Sequence, residues 1–369
     1  MLPPVPTAPA STTVVLAATR EHAAGAALRV GGITVLERAL KQLGQAAGTQ
    51  IIVASDGSVA IPGGLPPNAE VRSVANGAAA QALADEVRAP LVGADVVRLD
   101  RTRFDLGMRV TDEGSRRSAE DAVFGALFRP DLGFVARRLN KPLSVPFTRH
   151  VLCRSPITPN QITLVAAAFG VLGCALIATG RWSWVVAGFA LEQLQSILDG
   201  CDGELARVRF QQSKLGAWLD TFVDDVLNVL LTVATGVGLY RAWGARWALG
   251  AGIAGGAMLV LSNVLIMRDM RRQKASGDLM DMVWWFSGGR KLGELSAGAA
   301  GAGAAARPSV GGILFTMGRR DSAILLWLIF ALCGQLILVL IMAFIIALAW
   351  FVAAAVQAVV RPNPGPSTA

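Results

Sequence analysis

The sequence predicts an α-helical integral membrane protein with six transmembrane helices, preceded by a small α/β domain. Three observations lead there. Of 369 residues, 53% are hydrophobic and only 16% charged, where a typical soluble domain carries roughly 25% charge. Long apolar runs fill the chain from Ile162 onward, whereas nothing before about Val110 approaches the ~20 apolar residues that a bilayer span needs. The front segment instead alternates short apolar words with polar breaks, in the order strand, helix, strand.

The spans are expected at Ile162–Thr179, Ser183–Leu198, Gly216–Tyr240, Ala248–Met267, Ser322–Gly334 and Leu336–Val359. Hydropathy by itself allows four to six of them, and the charges favour the even count. Arg207, Arg209 and Lys214 flank one connection, and Arg268, Arg271, Arg272, Lys274, Arg290, Lys291, Arg319 and Arg320 flank another. The opposite turns hold only Arg181, Arg241 and Arg246. The positive-inside rule then puts both basic connections and both termini on the cytoplasmic side of a cell (inner) membrane. The net charge of +8 fits the same reading, since cytoplasmic loops face anionic lipid. No basic stretch is interleaved with aromatics, so a nucleic-acid partner is not expected. The four cysteines form no CxxC pair, which disfavours a disulfide framework or a zinc site.

The remaining segments complete the map. Residues 1–12 read as a disordered, proline-rich tail and not a secretory signal, and 13–120 as the α/β domain. Within it Thr13–Ala18 and Gln50–Ala54 read as strands and Val35–Leu43 as a helix. Residues 128–153 look like an interfacial amphipathic helix, with Arg137, Arg138, Lys141 and Arg149 set against Phe134, Val135, Leu139, Leu143 and Phe147; a solvated linker is the other reading. The membrane domain is expected over 154–360, interrupted by a long cytoplasmic connection at 270–320. There Trp284-Trp285-Phe286 suits the headgroup zone, and Ser296–Gly312 is low-complexity and reads as disordered.

Acids inside membrane helices are costly and therefore point to function. Asp199 and Asp202 end the second span, and Asp220 and Asp224 start the third. Separations of three and four residues put each pair on one helix face. Four such carboxylates without a cation would repel one another or take up protons. An oxygen-only ligand set suits a hard ion such as Mg²⁺, shared with substrate phosphates. Ion pairing with Arg207, Arg209 or Lys214 is the competing reading, but those partners are too few to neutralise all four acids. Gly203 and Ala206 leave a groove without bulky side chains, and Arg207 offers a planar fork to phosphate oxygens. Gly216 opens the third span where a neighbouring helix would come close.

The stretch DGCDGELARVRFQQSKLGAWLDTFVD, Asp199–Asp224, resembles the signature of the CDP-alcohol phosphotransferase family. That signature reads D-x-x-D-G-x-x-A-R, a spacer, then G-x-x-x-D-x-x-x-D. Its fixed positions are met by Asp199, Asp202, Gly203, Ala206, Arg207, Gly216, Asp220 and Asp224. The resemblance implies six membrane helices, a homodimer and a site for two Mg²⁺ ions, with Mn²⁺ as a substitute. It implies that Asp199, Asp202 and Asp220 ligate metal with help from Asp224. Asp224 would also take the proton of the acceptor hydroxyl. Gly203, Arg207 and Ser213, with Asp199 and Ala206 alongside, match positions at the CDP moiety. The TPNQIT segment, including Asn160 and Thr163, is similar to a second nucleotide-side element; those two residues could equally cap a helix after Pro159. Related sequences often follow the fourth acid with Arg, where this chain has Asp225.

The words VVLAA and LRVGGITVLERALKQL resemble sugar-phosphate nucleotidyltransferases. The loop after the first strand reads TREHAAGAALR, without a Gly-rich cradle, and Lys41 within the helix is the only lysine before Lys141. The front domain is therefore expected to be a degenerate nucleotidyltransferase-like domain. The domain order is similar to archaeal-type enzymes that join an inositol-phosphate cytidylyltransferase to a di-myo-inositol-phosphate phosphate synthase half. So are FRPDLGFVARRLNKPLS, SPITPNQITL, SILDGCDGELAR and GRRD. The resemblance implies a donor such as CDP-inositol or another CDP-polyol, and a polyol phosphate as the hydroxyl acceptor. Arg268, Arg319 and Arg320 are candidates for the acceptor phosphate, or else plain topology-setting charges. The alternatives are a CDP-diacylglycerol-dependent phosphatidyltransferase of phospholipid synthesis and, of another class, a non-catalytic membrane scaffold.

Overall fold

The computed structural model describes residues 12–45, 49–98, 107–128, 132–273, 282–285 and 320–360. The chain divides into two compact units. The first gathers Met1–Leu127, Arg149–Ser155 and Ala206–Gln211; the second gathers Phe128–Thr148, Pro156–Leu205 and Gln212–Ala369. The expected tail at 1–12 lies outside the described residues except for Thr12, and so does most of the 270–320 connection, Ser296–Gly312 included.

The first unit is built on a parallel sheet of β1 (Thr12–Ala18), β4 (Thr49–Ser55), β5 (Ala69–Ser73) and β6 (Leu91–Gly93), in the order β5-β4-β1-β6. Parallel strands covered on both faces read as unbroken apolar runs rather than alternating ones, which is how VVLAA and QIIVA look. Val14, Leu16, Ala18, Ile51 and Val53 point to one face, where α2 (Val35–Gly44) supplies Leu36, Leu40 and Leu43. Val15, Ala17, Ile52 and Ala54 point to the other, against Ala80 and Ala84 of α3 (Gly77–Glu86). The expected strand, helix and strand are all present, each extended by only a residue or two. Helix α2 starts where Thr34 Oγ1 accepts from the Glu37 amide at 3.2 Å. Between β1 and α2 lie α1 (Ala23–Ala27), β2 (Arg29–Val30) and β3 (Ile33–Thr34), the two strands forming a short antiparallel ladder. After β6 come a second ladder, β7 (Val96–Arg98) with β8 (Gly107–Arg109), and α4 (Glu113–Gly125).

The strand order reverses between β1 and β6, the place where open α/β sheets form a crevice. A cleft of about 390 Å³ opens there, lined by Glu21, His22, Gln81, Asp95 and Arg109 among others. Arg109 Nε donates to Asp95 Oδ2 at 2.7 Å. That hydrogen bond, together with the attraction of the carboxylate, raises the Arg109 pKa above its ordinary value.

The second unit is helical. Its helices are α5 (Lys141–His150), α6 (Pro159–Ile177), α7 (Trp182–Arg209), α8 (Lys214–Trp243), α9 (Arg246–Arg272), α10 (Arg320–Leu332) and α11 (Leu336–Val360), apart from Arg149–His150 of α5 and Ala206–Arg209 of α7, which group with the first unit. Helices α6 to α11 occupy the six places expected from the apolar runs. Among the described residues four are long and apolar enough to cross a membrane: α6, α8, α9 and α11. The other two differ for chemical reasons. Helix α7 spans 28 residues but carries Glu192, Asp199, Asp202 and Glu204, while α10 is described for only 13 residues and starts at Arg320-Asp321. Local caps set the boundaries. Pro159 occupies the first turn of α6, and Gln161 Oε1 accepts from the Thr158 amide at 2.9 Å. Ser213 Oγ accepts from the Gly216 amide at 2.9 Å at the start of α8.

Two expectations are corrected here. The 128–153 segment is helical over a shorter stretch than expected. It is helical over 134–150, first as a π-helical turn, Ala136–Asn140, and then as α5, before a 3₁₀ turn at Leu152–Arg154. Its Phe134, Leu143 and Phe147 are exposed as a lipid-facing side requires, but Lys141 points inward and is buried. Trp284 does not face headgroups either. It is 2% exposed and packs against Trp350 with ring centroids 5.5 Å apart. Two glutamines hold its segment: Val283 N donates to Gln273 Oε1 at 2.9 Å, and Trp285 N donates to Gln357 Oε1 at 2.8 Å. Trp285 remains exposed, and Phe286 lies outside the described residues.

The two-sided packing of the first sheet predicts the effect of truncation. Leu36→Ala should destabilise this unit by about 2–5 kcal/mol, while Glu70→Ala on the exposed strand β5 should cost under about 1 kcal/mol. The urea concentration at which protease cleaves this unit in the full-length protein measures both.

Candidate metal centre

Helices α7 and α8 bring the signature acids together. Asp199, Asp202 and Asp220 each offer a carboxylate oxygen, and these three oxygens lie within 4.8 Å of one another. Asp202 is buried and accepts a short hydrogen bond from the Thr163 hydroxyl of α6. Thr163 therefore does not cap α6; the cap is Thr158, and Thr163 orients a carboxylate of the site. Asp199 Oδ1 is buried without a hydrogen-bond partner. Such a lone acceptor among three converging carboxylates is what a hard cation would satisfy. The donor set fits a divalent ion: oxygen only, with no nitrogen or sulfur ligand.

Asp224, one helical turn beyond Asp220, is engaged differently. Arg320 at the start of α10 pairs with its Oδ1, and the same guanidinium donates from Nη2 to Gln195 Oε1 at 3.0 Å. Of the three arginines proposed for an acceptor phosphate, Arg320 reaches the acids. Arg268 is exposed near the end of α9, and Arg319 lies outside the described residues. Asp225 hydrogen-bonds with Asn263 of α9, which gives the fifth acid a partner of its own.

The nucleotide-side residues separate into groups. Asn160, Ser213 and Gly216 meet: a Cβ built on Gly216 would lie 2.9 Å from Asn160 Oδ1 and 3.0 Å from Ser213 Oγ. The absence of a side chain at Gly216 thus lets the start of α8 approach the start of α6. Gly203 and Arg207 follow Asp199 at successive steps of four along α7, so they share its row of the helix. Ala206 follows Asp202 in the same manner. Gly203, Ala206 and Arg207 are half-buried.

One constellation escaped sequence reading. Glu204, two residues beyond Asp202, is fully buried. Its Oε1 accepts from Lys141 Nζ at 2.6 Å and Ser144 Oγ at 2.5 Å, and its Oε2 from Thr148 Oγ1 at 2.8 Å. These three donors sit on one face of α5, so a buried, fully hydrogen-bonded carboxylate ties α5 to the turn of α7 that carries Asp202. The only sequence signal was an acid and a lysine in otherwise amphipathic surroundings.

Comparison with known proteins places a likeness on the middle of the helical unit. Residues 156–287 match the family model of the CDP-alcohol phosphatidyltransferases. This part of the chain is similar to the CDP-alcohol phosphatidyltransferases. It is 38% identical over 146 residues to the bifunctional IPC transferase and DIPP synthase of Rubrobacter xylanophilus, covering 39% of this chain and 32% of that one. The protein of the same name from Archaeoglobus fulgidus is 32% identical over 157 residues, 41% of this chain and 30% of its own. The inner membrane protein YnjF of Escherichia coli is 38% identical over 91 residues, 25% of this chain and 42% of its own. The matched part thus spans about a third of the length of the bifunctional relatives.

The Glu204 lock in this domain has a measurable consequence. Lys141→Met leaves an unpaired buried carboxylate and should destabilise the protein by about 3–5 kcal/mol, while the double variant Lys141→Met/Glu204→Leu should recover most of that loss. Thermal unfolding in detergent checks the order: the single variant melts lowest, and the double lies between it and wild type.

Proposed function

We propose that the protein transfers a phospho-alcohol from a CDP-activated alcohol to an acceptor hydroxyl, releasing CMP. The observation that carries this reading is the convergence of Asp199, Asp202 and Asp220 beside Asp224 within a matched family domain. Asp199, Asp202 and Asp220, assisted by Asp224, would hold two divalent ions, with Mg²⁺ favoured and Mn²⁺ as a substitute. Bound there, the metal would withdraw charge from the pyrophosphate under attack and stabilise the CMP leaving group.

The remaining work falls to the protein's own groups. Thr163 keeps the Asp202 carboxylate aimed by hydrogen bonding. Asn160, Ser213, Gly203, Ala206 and Arg207 would receive the CDP moiety, Arg207 through phosphate oxygens. An alcohol is a poor nucleophile at neutral pH, and Asp224 would accept its proton as attack proceeds. Arg320 pairs with that carboxylate in the free protein. A phosphorylated acceptor would compete for the guanidinium and release Asp224 to act as base, joining the two roles assigned to these residues. Arg268 and Arg319 remain candidates for the same phosphate.

CDP-inositol or a similar CDP-polyol is the favoured donor and a polyol phosphate the favoured acceptor, a choice supported by the names of the bifunctional relatives. We further read the helical unit as six membrane spans in a homodimer, with the acids and both termini cytoplasmic, supported by the distribution of basic residues. The domain organisation read from the sequence, with an α/β domain over 13–120 and a membrane domain over 154–360, belongs to the same proposal. The α/β unit is proposed as a degenerate nucleotidyltransferase-like domain, its first loop lacking a glycine cradle and lysine for a nucleoside triphosphate.

Purified full-length protein given CDP-inositol and inositol phosphate should form a water-soluble phosphodiester and CMP in equal amounts, identified by mass spectrometry. Chelation should abolish turnover, and added Mg²⁺ or Mn²⁺ should restore it. Asp224→Asn should lower kcat by about 10²–10⁴-fold. A lipid product formed from CDP-diacylglycerol alone would overturn the polyol choice, and no CMP from any donor would favour the scaffold reading.

A further inference from the structure

The polar face of α7 does not stop at the metal ligands. Residues 192, 195, 199 and 202 recur at steps of three and four, so Glu192, Gln195, Asp199 and Asp202 share one face along about 15 Å of helix axis. Glu192 and Gln195 are both 0% exposed, and both lie in the segment first expected to cross the bilayer. Glu192 Oε1 accepts from Cys174 Sγ of α6 at 3.3 Å, and Gln195 Oε1 accepts from Arg320. Their second polar atoms are unused: Glu192 Oε2 and Gln195 Nε2 are buried without a hydrogen-bond partner. Asp199 Oδ1 on the same face and Arg320 Nε across from it are in the same condition.

Close backbone packing holds this face in position. Helices α6 and α7 touch at Gly173 and Gly188, where a Cβ on Gly173 would lie 2.8 Å from the Gly188 carbonyl oxygen and 3.0 Å from Glu192 Oε1. The Glu192 carboxylate is thus packed directly against the α6 backbone at Gly173. Buried polar atoms without hydrogen bonds are costly, and more so where no water is at hand. An acyl chain laid against them would leave Glu192 Oε2, Gln195 Nε2 and Arg320 Nε unsatisfied. A simple anion would meet two carboxylates. With Asp199 Oδ1 assigned to the cation, the unused set comprises one acceptor, Glu192 Oε2, and two donors, Gln195 Nε2 and Arg320 Nε. A hydroxyl group both donates and accepts, so a molecule bearing several hydroxyls matches the set.

We propose that Glu192 and Gln195 are specificity-determining residues that bind hydroxyl groups of a polyhydroxylated acceptor, extending the site from the aspartates along α7. This rests on the transfer reaction proposed above. It predicts discrimination against analogues that lack a hydroxyl, because such an analogue leaves a buried partner unpaired.

The test uses full-length protein in nanodiscs, with Glu192→Gln and Gln195→Leu as variants. With CDP-inositol as donor and inositol phosphate as varied acceptor, each variant should raise the acceptor KM at least tenfold. The KM for CDP-inositol and the concentration of Mg²⁺ giving half-maximal rate should stay within twofold. Each variant should also lose preference for inositol phosphate over its monodeoxy analogues. An unchanged acceptor KM, or donor and acceptor KM values rising together, would overturn the proposal and leave Glu192 and Gln195 as packing residues. Thermal stabilisation by inositol phosphate gives a readout without turnover: wild type should gain in melting temperature and both variants should gain less. If wild type released no CMP but still showed that difference, the transfer reading would fail and the hydroxyl-binding face would stand. Equal stabilisation of all three proteins would count against it.

Discussion

The controlling constraint in the helical unit is the mutual repulsion of carboxylates that the fold forces together. Asp199, Asp202 and Asp220 converge within 4.8 Å, and like charges at that range in a poorly solvated place oppose folding unless something compensates. Each neighbouring contact can be read as part of that compensation. Thr163 donates to Asp202, Arg320 pairs with Asp224, and Asn263 takes up Asp225. These contacts leave Asp199 Oδ1 without a hydrogen-bond partner, an acceptor that a divalent cation would satisfy.

Rigidity serves the same end. The ligand-bearing turn of α7 is clamped by Glu204, whose carboxylate is fully hydrogen-bonded to Lys141, Ser144 and Thr148 of α5. About three turns before that point, Gly173 and Gly188 let α6 and α7 approach backbone to backbone. A buried ion pair adds little net stability compared with apolar packing, but it penalises any other arrangement of its two helices strongly. A metal site assembled from two helices gains from that kind of exclusion, since its ligands must be positioned before the cation arrives.

Much of this architecture was legible in the residues themselves. Strands β1 and β4 and helix α2 of the α/β unit followed from VVLAA, QIIVA and the amphipathic Val35–Leu43 run, whereas β5 to β8, α1, α3 and α4 did not. Among the described residues, helices α6 to α11 fell where the apolar runs did. Membrane crossing was less legible, because α7 is polar along one face and α10 is short as described, leaving four helices that qualify on length and composition. Trp284 shows the limit of composition rules. A tryptophan pair beside basic residues reads as a headgroup anchor, yet Gln273 and Gln357 capture the backbone on either side of Trp284 and turn its ring onto Trp350.

The sequence by itself determined the helical rows of the site, because periodicity is a local property: a step of three or four residues puts two aspartates on one face wherever the helix is later packed. Only the tertiary structure decided who meets those rows. Arg320 and Asp224 are 96 residues apart, and Lys141 and Glu204 are 63 apart. No local pattern encodes pairings across such distances. They arise when helices dock, and the charge that finds a partner is the one the packing happens to bring within reach.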